Sequence, residues 1–184
     1  MKNVSKLRFI ATLLFLALAL AGCSLADPSK PGDSLLIGRL TLQAEGWADT
    51  STGTTVNGTQ KVSVFMNLRN EATQKLYHVQ TEPHGFFGVR NPEPGLYVIE
   101  KLSFKATGSS GWSQLTSKAR IPLPPFEIAP GKVTNLGSLC WIANKTTEDY
   151  RFIRDGAPEE LRRLFAETFP KSGWLQREWL NVGY

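Results

Sequence analysis

The sequence predicts an all-β protein: an antiparallel β-sandwich followed by a C-terminal helical extension. Three observations predict it. Val62, Val64, Met66 and Leu68 alternate with Ser63, Phe65, Asn67 and Arg69, the period of a half-buried strand. About eight short runs of this kind are separated by Gly, Pro, Asn and Asp turns, which suits packed antiparallel sheets better than an alternation of strands and helices. Towards the C-terminus the period changes, and Leu161, Leu164, Phe165 and Phe169 recur at helical spacing.

Residues 1–22 stand outside this fold. Lys2, Lys6 and Arg8 precede an apolar run from Phe9 to Gly22 that only Thr12 interrupts. A membrane-spanning helix needs about 20 apolar residues, and this run is shorter. A basic flank, a short apolar core and small closing residues make a secretory signal peptide. The core closes with Leu20-Ala21-Gly22-Cys23, which resembles the lipobox of bacterial lipoproteins. That resemblance implies cleavage between Gly22 and Cys23, a diacylglycerol of palmitate type on the Cys23 thiol, and acylation of the freed amine. One acyl chain holds a protein on a membrane only marginally, whereas two or more hold it firmly. Cys23 is therefore the expected membrane anchor. Ser24, where an Asp would favour the inner membrane, implies the outer membrane if the organism is Gram-negative. The bland alternative is an ordinary signal peptide with a coincidental cysteine.

Cleavage also changes the charge balance. Three of the 21 lysines and arginines precede Cys23 and all 16 acids follow it, so the 162 residues from Cys23 onward carry 18 bases against 16 acids. A nucleic-acid binder needs concentrated basic surface. Here the bases are scattered, and nucleic acid is not an expected partner.

Residues 23–33 read as the lipidated cysteine and a flexible tether, with two prolines, one glycine and no apolar period. Ten extended residues would reach about 30 Å. The sandwich is expected over 34–143, with strands at 34–42, 62–68, 74–81, 85–89, 95–104, 112–123, 125–128 and 133–142. Residues 43–60 are rich in Thr, Gly and Ser and read as one long loop. Its Trp47 is a candidate contact residue, unless the ring folds back onto the sheet.

The runs Val62-x-Val64-x-Met66-x-Leu68-x-Asn70, Thr81-x-x-x-Gly85-x-Phe87-x-Val89 and Pro94-Gly95-x-Tyr97-x-Ile99, with Phe126-x-Ile128-x-Pro130-Gly131 and the strand after it, resemble the carboxypeptidase regulatory-like, or transthyretin-like, β-sandwich. The turns have a mechanical reason. Proline presets φ, and the glycine after it accepts the positive φ that hands the chain into a strand. The long first loop, the additional Pro92 and the C-terminal extension depart from that family's pattern.

The extension covers 144–184. Pro158, Glu159 and Glu160 suit a helix start, and Pro170 suits its end. Gly173–Leu180 reads as a second short helix. A tail this apolar must be covered, either by the sandwich or by a partner that meets Trp174, Trp179 and Tyr184.

Chemistry is sparse. Cys140, the one cysteine besides Cys23, reads as a buried small hydrophobe on a strand. His78, Glu82 and His84 make only a weak metal constellation, and exposed polar roles suit them better. No catalytic residue, metal site or cofactor is expected, for no phosphate-binding loop, Gly-x-Ser-x-Gly or His-Glu-x-x-His is present. The expected function is a non-catalytic interaction or structural module in the cell envelope, with an envelope protein as partner. A glycan or small-ligand binder, stacking on Trp47, Trp112 or Trp141, is the alternative.

Overall fold

A computed structural model describes residues 25–48, 55–60, 63–82, 84–104, 123–144 and 149–183. The chain is mostly β, with two packed sheets. Its strands are β1 (Leu35–Ala48), β2 (Thr55–Gln60), β3 (Val64–Asn70), β4 (Leu76–Gln80), β5 (Phe86–Arg90), β6 (Gly95–Phe104), β7 (Phe126–Ile128), β8 (Val133–Asn144), β9 (Asp149–Arg154) and β10 (Trp179–Asn181). One helix, α1 (Pro158–Thr168), and a 3-10 turn at Gly173–Gln176 complete the described elements.

The second sheet is antiparallel, in the order β4-β3-β6-β7. The first is mixed and built on two long strands. β1 and β8 run parallel from the Leu35–Val133 pair to the Glu45–Asn144 pair. The free edge of β1 is shared, its first half pairing with β5 and its second with β2. The free edge of β8 is shared likewise, between β10 and β9. The expected all-antiparallel sheets are thus corrected at the β1–β8 and β8–β10 pairs. Parallel neighbours need a long crossover, and the whole second sheet supplies one between β1 and β8.

Two further expectations change. Residues 43–60 are not one long loop: β1 continues to Ala48 and β2 returns beside it. Composition suggested a loop, but β2 pairs with β1 as far as Ala48 and β8 pairs with it as far as Glu45, and such pairing overrides weak local propensity. The tail beyond residue 143 is also less helical than expected. It supplies β9 and β10 to the first sheet, and Gly173–Leu180 is one 3-10 turn leading into β10 rather than a second helix. Helix α1 stands where expected, with Pro158 in its first turn and both glutamates at its positive end. The strand expected at 112–123 falls almost wholly outside the described residues.

The period of two sorts β1 into two faces. Leu36, Leu40 and Leu42 point between the sheets, where they meet Val64, Met66, Leu68, Phe87, Tyr97, Leu102, Phe126 and Trp141. Leu35 and Ile37 point the other way, under α1, with Val133, Leu161, Phe165 and Trp174. All six are wholly buried. The central strands are therefore covered on both faces, and the protein has two apolar cores separated by one sheet. Both Pro-Gly turns adopt the expected positive φ, 142° at Gly95 and 74° at Gly131. Gly38 serves a different need: facing Phe87 across the pair, it leaves the ring the space a Cβ would take.

Candidate functional site

The outer face of the first sheet carries a cleft. Helix α1 packs against β8, its Leu161 and Phe165 meet Leu35 and Ile37 of β1 in the second core, and Phe86 of β5 packs against that core. Around Phe169, at the end of α1, the surface falls into three adjoining hollows of about 340, 400 and 620 Å³; the first and last reach Phe86 of β5, and the second runs between Leu25–Asp27 and Pro170–Ser172. Volumes of about 300–1,000 Å³ are typical of ligand sites. The floor is apolar, made by Leu25, Phe86, Leu164 and Phe169, while Arg39, Glu82, His84, Arg90 and Lys171 stand around it. Arg39 Nε donates to the His84 carbonyl at 3.2 Å and so braces this rim.

One wall of the cleft comes from a segment that composition had marked as a tether. Residues 25–33 lie against the body. The Asp27 carboxylate accepts from Gly173 N at 2.7 Å and Ser172 Oγ at 3.1 Å. The Ala26 carbonyl accepts from Trp174 Nε1 at 3.0 Å. Arg177 donates to the carbonyls of Lys30 and Pro31, at 2.8 and 3.0 Å. Within the segment, Asp33 receives Ser29 Oγ, Ser29 N and Lys30 N, and these bonds, that from the serine hydroxyl first, hold its carboxyl below the ordinary value. The groups that receive the segment lie about 145 residues away and left no local trace.

The aromatic residues separate into distinct roles. Trp174 is fully buried and has no surface left for a partner. Trp179 is half-buried, its ring edge-on to Phe165 at 5.4 Å with the Arg162 guanidinium 5.5 Å above it. The tail is thus covered by its own domain at both tryptophans. Trp141 is 1% exposed and stacks with Phe152, so its face is not open to a sugar. Trp112, Tyr184, Gly22 and Cys23 lie outside the described residues, as does the side chain of Trp47.

Among the described residues, two other reactive groups, Cys140 and Tyr97, are buried within the fold. Cys140 is buried on β8, and burial pushes its thiol up. His78 lies on the outer face of β4 with Nδ1 2.8 Å from Asn67 Oδ1, whereas Glu82 and His84 stand at the cleft. Among the described residues no three His, Cys, Asp or Glu gather as a metal site. At one end of the second sheet Tyr97 OH donates to the Glu93 carbonyl at 2.7 Å, and the Glu93 amide donates to Tyr77 OH at 3.0 Å. Burial, before any other cause, raises the Tyr97 hydroxyl to about 12. This knot ties the β5–β6 turn to β4 and β6.

No family and no curated protein matches the sequence. Among the described residues no helix is long and apolar enough to cross a membrane.

Proposed function

We propose that the chain is a cell-envelope lipoprotein whose two-sheet body, a transthyretin-like sandwich, acts as a non-catalytic interaction or structural module. One observation carries the reading: an apolar leader closes with Leu20-Ala21-Gly22-Cys23 directly ahead of a folded β body. The positive φ at both Pro-Gly turns and the alternation of β3 support the finer fold assignment. Structural roles for Cys140, His78 and Tyr97 support a body without catalysis. Ser24 supports the outer membrane in a Gram-negative cell, and the partner is an envelope protein.

The deciding measurement is mass spectrometry of the natural protein. A chain that starts at Cys23 with a diacylglyceryl thioether is the expected product, and Cys23→Ser abolishes both processing and incorporation of labelled fatty acid. A leader-bearing chain, or an unmodified thiol, refutes the anchor. Cross-linking of intact envelopes then identifies the partner, and recovery of no specific protein counts against the interaction role.

A further inference from the structure

We propose that the body lies directly on the bilayer, with the face around Leu25, Phe169, Pro170 and Lys171 turned to the lipid and the cleft beside Phe169 receiving lipid acyl chain. This rests on the lipid-anchor reading of Cys23 and adds an orientation to it.

The argument begins with the length of free chain. Read as a tether, residues 24–33 would let the body float about 30 Å from the membrane. Five hydrogen bonds from Ser172, Gly173, Trp174 and Arg177 instead clamp residues 26–31, and Leu25 packs on the second core. Only the two residue steps from Leu25 back to Cys23 remain, and two residues span at most about 7 Å. The backbone of Cys23 is therefore within that distance of Leu25, and the glycerol on its sulfur enters the bilayer only a thioether side chain farther on. Whatever surface surrounds Leu25 is held at the headgroups by the covalent link itself.

That surface has the chemistry the position demands. Leu25, Ala26, Phe169 and Pro170 line the hollow of about 400 Å³, and the exposed Lys171 stands at its edge. An apolar floor with a basic edge fits the boundary between acyl chains and anionic phosphates. Of the acids by this cleft, Asp27 is already engaged by Ser172 and Gly173, and Glu82 lines the hollows it shares with Arg90 and Arg39. Leu25 and Leu35 both lie against Gly88, so β1 starts beside this face, as does β8 paired with it, and their far ends, Ala48 and Asn144, lie away from the anchor.

The test uses the intact lipid-anchored protein in vesicles of phosphatidylethanolamine and phosphatidylglycerol containing nitroxide-labelled lipid. A dye is placed through Lys171→Cys in one sample and through Glu71→Cys, an exposed position on the β3–β4 turn of the other sheet, in a second; Cys140 is buried and stays unlabelled. Severalfold stronger quenching at position 171 than at 71 is expected. Asp27→Ala combined with Arg177→Ala frees the segment and makes the two positions alike. Mass spectrometry of the same sample separates the failures. With Cys23 acylated, equal weak quenching at both positions overturns the orientation alone and leaves the cleft to a soluble partner. With Cys23 unmodified, the anchor reading falls and the orientation with it.

Discussion

Truncating Trp174 to alanine tests the second core directly. The indole is fully buried against Leu35, Ile37, Val133, Leu161 and Phe165. Removing a buried Trp side chain costs about 3–5 kcal/mol through lost burial and the cavity left behind. The Trp174 Nε1 bond to the Ala26 carbonyl goes as well, a loss of about 0.5–1.5 kcal/mol. Ala26 is exposed, so water replaces part of that bond. A total near 4 kcal/mol results, a large share of the about 5–15 kcal/mol typical of a domain. With a urea slope of about 2 kcal/mol/M, the unfolding midpoint falls by about 2 M. Circular dichroism against urea measures it, with Trp174→Phe as the intermediate case. Leu96→Ala, at a position 43% exposed, serves as a control worth less than about 0.5 kcal/mol. A Trp174→Ala loss below 1 kcal/mol would refute the account of the tail as the cover of β1 and β8.

Further outcomes follow from other sites. Gly38→Ala places a Cβ 2.7 Å from Phe87 Cε1 and costs about 1–3 kcal/mol by overpacking; adding Phe87→Leu recovers part of the loss in a thermal double-mutant cycle. The depressed Asp33 carboxyl contributes stability that is present above its unfolded value of 3.8 and lost as pH falls through the lower folded value. Asp33→Asn therefore flattens the acid limb of stability against pH, and an unchanged limb contradicts the assignment. Tyr97 acts at the opposite end: its contribution is whole below 10.0, the unfolded value, and disappears as pH rises towards about 12. Urea midpoints across that range, compared with Tyr97→Phe, display it. The Cys140 thiol, buried and raised, reacts with a maleimide only after unfolding; fast labelling of the native chain would place it at the surface.

What was legible in the sequence was whatever repeats locally. The alternation of Val64, Met66 and Leu68 marked a core face, and those three side chains are buried. The stripe of Leu161 and Phe165 marked the buried side of α1, and the Pro-Gly pairs marked turns whose φ is positive. Each of these follows from backbone periodicity or from the conformational limits of one or two residues, which any short window of sequence contains.

The tertiary structure alone decided what depends on distant partners. Residues 43–45 became strand because β8, nearly 100 residues on, lies beside them, and β2 carries the pairing on to Ala48. The tail became sheet as well as helix because β8 had a free edge for β9 and β10 to share. The segment 25–33 became a wall of the cleft because Trp174, Arg177 and Ser172 reach it across 145 to 148 positions. Proline and glycine suit a free linker and a docked turn equally, so local composition could not choose between them. Hydrogen-bond donors brought in from the other end of the chain made that choice.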